Sequence, residues 1–551
     1  MKYCLLFLYC LINLFSLQAQ QWEWARQASL TTGKQKSKDI HSDNAGNVYM
    51  IGYNDSIAYY GSYTLNPGSF VVKYNASGQL LWAMELPGTV QGLATDATNN
   101  LFLTGDFSGS ITLGSLSLSS NGGNDLYLAK FNGSGIVTWA RSYGGSLNDG
   151  VTAIVIDHLD NLFITGTYQD SISFDSQHLK IQETNNYGNR LFYLAKLNPT
   201  GVATWARTCP YNYAGNQFQY YAPEFLALDK NGCAYITGSY TGFPCYMYCD
   251  AHFILKYDSE GMLKLNERPW DAYEEQFGLA VDENLDIITE YNCGTHYTWC
   301  RVMVKYDSLM NIKWQTGLGN YTYGTNYTFI YGLSTDSLNN IYVMGLFGAG
   351  DQYSNDTVEV CGQTIVSNGE TDILVGKFDS AGNCVWVKTA GGSGEENWPN
   401  NYDPWPAMFV NKSGDCYLTG GFNSDTWTTG IQNDTIVFNS DDTLINDGNW
   451  QHIYVAKIPS TNFVVTKAPS IIKITSEINI TPNPSSGIFR ITSENKNDYS
   501  IRVYDLLGNC VLIKTLSENN CDFDLSSHAK GIYFVEVIGD NERMVKKVVL
   551  E

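Results

Sequence analysis

Four connecting segments concentrate the side chains that could hold a ligand. "CPYNYAGNQFQYYAPEF" carries Tyr211, Tyr213, Tyr220 and Tyr221; "NERPWDAYEEQ" carries Trp270 and Tyr273; "GNYTYGTNYTFIYG" carries Tyr321, Tyr323 and Tyr327; "EENWPNNYDPWP" carries Trp398, Tyr402 and Trp405. Aromatic faces stack on the C–H faces of sugars, and the Asn, Asp and Glu beside them pair with hydroxyls. The same aromatics could instead fold into small cores of their own loops. Glu274, Glu275, Glu395 and Glu396 sit among them, the raw material of a glycosidase or lyase pair, although charged loop residues are ordinarily just solvated.

Cysteine offers a second chemistry. Of 13, Cys4 and Cys10 fall in the N-terminal segment, leaving an odd number, so at least one is expected unpaired within the chain. Cys245 and Cys249 share one segment, Cys293 and Cys300 the next, and Cys510 and Cys521 fall on adjacent expected strands near the C-terminus. Disulfides are favoured in an exported chain; a metal with His296 is the alternative, but neither close spacing is C-x2-C. No cofactor motif is present: a sialidase Asp box would place its aromatic three residues after the Gly rather than four, and "SDNAG" and "TDATNN" are not EF-hand loops.

These segments interrupt a recurring phrase. "IDHLDNLFITGTY" from Ile156 returns as "HSDNAGNVYMIGYN" from His41, "ATDATNNLFLTGDF" from Ala94, "ALDKNGCAYITGSY" from Ala227, "STDSLNNIYVMGLF" from Ser334 and "VNKSGDCYLTGGF" from Val410, with a worn copy, "AVDENLDIITEYN", from Ala280. Each belongs to a unit of four short strands separated by turn signals. The third strand is marked by Lys73, Lys130, Lys196, Lys256, Lys305, Lys377 and Lys457. The fourth is marked by Trp24, Trp82, Trp139, Trp205, Trp314 and Trp386, with Leu265 once in their place. The chain opens on a fourth strand and its last unit ends on a third, so the two fragments complete each other and remove a sheet edge. The expectation is an all-β chain: a seven-bladed β-propeller over residues 21–460, a linker over 461–477, and a small Ig-like β-sandwich over 478–551. Turns 1-2 and 3-4 fall on one face of the ring, and loops 2-3 and 4-1 on the other. The elaborated loops all lie on that second face, which is where a binding surface is expected.

The phrase and its "K....G...W" continuation resemble the SBBP-type β-propeller repeats of bacterial exported proteins. The spacing of Gly78 to Trp82, Gly135 to Trp139, Gly201 to Trp205 and Gly382 to Trp386 is similar to the tryptophan-docking turn of quinoprotein propellers, although nothing identifies a quinone site. The tail, "INITPNPSSGIFRI", "SIRVYDLLGNCVL", "FDLSSHAKGIYFVEV" and "RMVKKVVLE", resembles the type A sorting domain of the type IX secretion system of Bacteroidetes. That resemblance implies that Pro482, Asn483, Pro484 and Gly487 open the domain, that Gly531 starts its central strand, and that Lys546 and Lys547 belong to the terminal signal. It also implies the secretion machinery as a partner.

Composition agrees. The formal charge of -22 argues against a phosphate-backbone partner, because counterion release needs clustered Lys and Arg. "MKYCLLFLYCLINLFSLQAQ", residues 1–20, reads as a secretory signal peptide; a lipoprotein signal through Cys10 is disfavoured by the bulky Tyr9 before it. No later stretch is apolar enough to span a membrane. A secreted or cell-surface, non-catalytic binding protein follows, for a glycan or an extracellular partner, with a propeller enzyme acting on polysaccharide as the alternative.

Overall fold

The computed structural model describes residues 21–551 except 29, 32, 182–189, 209, 211–219, 242–249, 268–275, 296–297, 323–326, 349–356, 369–370, 393–405, 423–433, 440–441, 447–451, 461–477, 494–498, 505–509, 517–519, 527 and 539–542. The expected signal peptide therefore lies outside the described residues. Every regular element described is a strand. Contacts divide the chain into two units, Met1–Asn462 and Phe463–Glu551.

In the first unit the four-strand module has one plan. Thr89–Thr95, Leu101–Leu113, Leu116–Phe131 and Val137–Tyr143 pair antiparallel in chain order. Their register sets Phe102 opposite Lys130 and Lys130 opposite Trp139. Lys73 likewise faces Trp82, Lys196 faces Trp205, Lys305 faces Trp314 and Lys377 faces Trp386, while Lys256 faces Leu265. The module at the chain ends is completed from afar: Trp24–Gln27 pairs with His452–Ile458, and Trp24 falls opposite Lys457.

The recurring phrase now has a physical reading, residue by residue. Its Asp caps the 1-2 turn: Asp96 accepts the backbone N–H groups of Thr98 and Asn100 and the Asn100 amide. The same carboxylate meets Lys130 at 2.9 Å, and the ammonium lies 4.9 Å above the Phe102 ring. Burial works to raise the Asp96 carboxyl, but the bonds from Asn100, Lys130 and Thr98 outweigh it and hold it at about 2. Asp229 with Lys256 and Tyr235, and Asp336 with Lys377 and Tyr342, repeat the stack. A half-buried ammonium thus has both a counter-charge and a π face, which partly offset its desolvation; at Lys377 burial still lowers the ammonium below its ordinary value, against Asp336.

The glycine of "TG" answers a different demand. Opposite it the first strand carries one extra residue, and the bulge swings a carbonyl across the sheet. A Cβ at Gly105 would stand 1.7 Å from the Thr89 carbonyl oxygen, and one at Gly52 2.1 Å from that of Lys36. No side chain fits there.

First strands form the inner ring. Gln35–Ser42, Thr89–Thr95, Gly150–Ile156, Tyr220–Leu228, Gln276–Val281, Tyr327–Thr335 and Ala407–Val410 touch in that order, and the last touches the first. Neighbouring modules are locked by tryptophan. The Trp24 ring lies against Gly78 of the next module, and its indole N–H donates to the Ala76 carbonyl at 3.0 Å. Trp205 meets Gly261 and Ser259, and Trp314 meets Gly382 and Ser380, in the same way. Each glycine therefore docks on the tryptophan of the preceding module. Where Leu265 replaces the tryptophan, Met310 replaces the glycine of the next turn, and both pack into one cluster with Tyr235 and Ile254.

Short hairpins elaborate the 2-3 connections: Ala58–Tyr60 with Tyr63–Leu65, Ser171–Phe174 with Gln177–Lys180, Thr357–Val360 with Gln363–Val366, and Asp434–Val437 with Thr443–Asn446. They bury Tyr60, Phe174, Val358 and Ile436 against their own modules. A Cys361–Cys384 disulfide ties the third of these hairpins to a fourth strand. This pairing was not among those expected from sequence.

The second unit is two packed sheets. Ile478–Thr481, Ile488–Ser493 and Asn520–Asp524 form one; Tyr499–Tyr504, Cys510–Leu516, Gly531–Ile538 and Arg543–Leu550 form the other. Phe489, Ile491 and Phe523 of the first share a core with Val503, Val535 and Val548 of the second.

Candidate functional site

The first strands enclose a cavity of about 1510 Å³. Its wall is ordered in layers, each at a fixed distance from the residue that begins the 1-2 turn, an Asp in six modules and Asn411 in the seventh. Five residues before that Asp stand the bulged residues Lys38, Gln91, Thr152, Glu224 and Tyr331, all lining the cavity. A bulge re-aims a side chain without breaking the strand, which is how an inner strand can offer polar groups to the axis. Three residues before the turn residue, the layer is aliphatic throughout: Ile40, Leu93, Ile154, Leu226, Leu279, Leu333 and Met408. Beyond it the wall continues to the 1-2 turns at Asn44, Ala97, His158, Asp160 and Lys412.

Electrostatics of the wall are nearly balanced. Asp43, Asp96, Asp157 and Asp415 are spent on Lys73, Lys130, Lys196 and Lys457. Burial pushes the Asp39 carboxyl up to about 6, against hydrogen bonds from the Ile40 and Leu93 backbone N–H groups at 2.8 and 3.4 Å and the nearby Lys38. His41 lies 3.7 Å, centroid to centroid, from Phe409, with its Nδ1 3.2 Å from the Thr95 hydroxyl. Burial holds its imidazole down to about 4, so it is neutral at physiological pH. Among the described residues no group of His, Cys, Asp and Glu is arranged to hold a metal.

The turns at the cavity mouth are latched to one another. Asn44 donates its backbone N–H to the Asn99 side chain, Ala97 to Asp160, and Glu283 to Asn339. All three acceptors sit at the positive-φ place in the next turn. Gly46, Gly232 and Gly414 occupy that place elsewhere, offering no side chain to accept such a bond.

Most of the aromatic residues expected to bind a ligand lie outside the described residues: Tyr211, Tyr213, Trp270, Tyr273, Tyr323, Trp398, Tyr402 and Trp405. So do Glu274, Glu275, Glu395, Glu396, His296, Cys245 and Cys249. Tyr321 is placed by its backbone in Ile312–Thr322, opposite Trp299. Cys293 and Cys300 are direct cross-strand partners. Cys510 and Cys521 fall in different sheets of the second unit. Cys233 and Cys416 are free thiols. The layered wall was missed from sequence, although the constant spacing from the turn residue was available as its signal. The described cavity reaches the face of the tight 1-2 turns; most of the loops where a site was expected lie outside the described residues.

In the tail, the opening motif and the last strand hold each other. Asn483 donates its amide to the Lys547 carbonyl and accepts the Val549 N–H, both at 2.8 Å. Ser485 N–H donates to the Val549 carbonyl, and Glu551 N–H to that of Ser485. A Cβ on Gly487 would lie 2.6 Å from that of Ser526, and Gly531 begins the strand whose Phe534 and Val535 face Lys547 and Lys546.

Residues 479–551 match the secretion system C-terminal sorting domain. The chain thus carries a type IX sorting tail and is exported to the cell surface or beyond. An uncharacterised WD repeat-containing protein of Acanthamoeba polyphaga mimivirus is similar at 24% identity over 369 residues, 58% of this chain. The match spans only 24% of that relative's length. Similar solved structures include a polysaccharide lyase at 11% identity, covering 82% of this chain and 94% of its own, with a TM-score of 0.41. An ulvan lyase is similar at 7% identity, covering 71% and 93%, with a TM-score of 0.39. Virginiamycin B lyase from Staphylococcus aureus is similar at 8% identity, covering 78% and 98%, with a TM-score of 0.35. At these identities and scores the lyases' chemistry does not transfer to this chain.

Proposed function

We propose that residues 21–460 form a seven-bladed β-propeller followed by an Ig-like sorting sandwich, and that the protein is a non-catalytic binder at the cell surface or outside. Its ligand, a glycan or an extracellular partner, occupies the axial cavity. The observation that carries this reading is the layered wall, a polar level over a continuous aliphatic level, drawn from successive blades at one register. Such a wall recognises both faces of an amphipathic ligand. Asp39 is the wall carboxyl whose pKa suits a general acid, but both its oxygens already accept backbone N–H groups, which favours a structural role over proton transfer.

Two measurements test the reading. Deleting residues 478–551 should strand a folded propeller in the periplasm; normal surface delivery of the truncated chain would contradict the export route. The exported protein should be retarded by its ligand in affinity electrophoresis against polysaccharide and protein panels while leaving the ligand's length unchanged. Shortening of a polysaccharide during that assay would replace the binder with an enzyme.

A further inference from the structure

Resting on that reading, we infer that the axial cavity takes an extended peptide segment of a partner protein, entering past the 1-2 turns and seating one apolar side chain in the aliphatic level. Three features of the wall favour a peptide over a sugar or a polyanion.

The first is the strand edges. Six of the seven first strands are the edge strands of their sheets, and Tyr220–Leu228 has an outer neighbour only at Tyr220. Edge strands present backbone N–H and C=O groups beyond those used in their ladders, and these are the partners an added peptide backbone needs. Three such groups in this ring are already taken by acceptors from the neighbouring blade: Val90 N–H by Ser69, Leu93 N–H by Asp39 and Val151 N–H by Asp106. The ring therefore exposes main-chain groups that a side chain can satisfy, and that a peptide can satisfy in the same way.

The second is the waist. Its half-buried members, Leu333 and Met408, are aliphatic, and the nearby Phe409 ring is covered by His41. A sugar gains most from an open aromatic face, whereas an aliphatic waist suits a Leu, Ile or Met side chain. The third is charge. Beyond the turn aspartates and their lysine partners, the wall carries carboxylates at Asp39, Asp160 and Glu224 and ammonium groups at Lys38 and Lys412. Opposite signs in near balance match the neutral dipoles of a peptide chain and offer no field to a phosphate or an acidic polysaccharide.

The test uses the full folded chain with two probes, a displayed random octapeptide library and a glycan array. Peptides should be enriched that carry one aliphatic residue flanked by polar ones. Leu333→Asp in the waist should weaken the selected peptide at least tenfold. Gln91→Arg at the polar level, a milder change should the first variant fail to fold, should do the same. Ile136→Asp, on an exposed outer turn, should leave binding unchanged. Peptide binding that survives both wall variants overturns the inference. So does glycan binding that those variants abolish while no peptide is enriched, and in that case the binding-protein reading stands. If neither probe binds, both readings fall.

Discussion

Replacing Trp24 by Ala tests how the ring is held shut. The Trp24 ring is 3% exposed, lies against Gly78 and donates a 3.0 Å hydrogen bond to Ala76. Losing a buried tryptophan costs ~4 kcal/mol and its hydrogen bond ~1 kcal/mol, so the loss is about 5 kcal/mol. Trp205→Ala removes a comparably buried ring with the same glycine contact and the same 3.0 Å bond, and should lose a similar amount. The two differ in connectivity. The strand Ala203–Thr208 hangs from its partner Arg190–Leu197 by a tight turn, whereas Trp24–Gln27 reaches His452–Ile458 only through space. Without its anchor the short N-terminal strand has to be held by the remaining ladder, including the bonds of Glu23 and Ala28 to Lys457 and Ile453. Hydrogen exchange should therefore accelerate across His452–Ile458 in Trp24→Ala, while Arg190–Leu197 stays protected in Trp205→Ala. Urea unfolding measures the common loss and exchange measures the difference. Equal protection in the two variants would mean that the N-terminal strand does not close the ring.

Two further outcomes are expected. Burial raises the carboxyls of Asp39 and Asp106 to about 6 and Asp149 to about 7, so the folded state holds protons that the unfolded chain has released, and this stabilisation is lost as pH rises from about 4 through 7. His41, held down to about 4, works oppositely, losing stability as pH falls through 6.5. The net is a chain more stable at about pH 5 than at about pH 7.5, by on the order of 3 kcal/mol; a melting temperature that climbs steadily over that range would refute it. Gly105→Ala forces a Cβ against the Thr89 carbonyl and should cost roughly 3 kcal/mol or more, whereas Gly317→Ala meets nothing within 4 Å and should be near neutral in thermal melts.

The module was legible because its marks are large and periodic: Lys130 and Trp139 appear in sequence at a constant interval and prove to be cross-strand partners. The sorting tail was legible for a different reason, its resemblance to a known family through "TPNPSSG" and "GIYFVEV". The bulged level of the axial wall was not, because the residues that form it share only a position. Lys38, Gln91, Thr152, Glu224 and Tyr331 have no common chemistry, and the bulge that brings them together is invisible until the register is known. The Cys361–Cys384 disulfide was missed because it joins an inserted hairpin to a blade strand, a proximity set by tertiary packing alone.

The N-terminal strand also has a consequence in time. Trp24–Gln27 is the earliest described strand to be synthesised, and its partner His452–Ile458 among the last of the ring. While the modules between them are made, that strand has nowhere to pair, and an unpaired apolar edge is an aggregation hazard. The ring can be completed only after nearly the whole repeat array has emerged, and the sorting tail follows it in the chain. Order of emergence thus makes closure the late step of maturation, with the tail arriving as the blade that completes the ring is being finished.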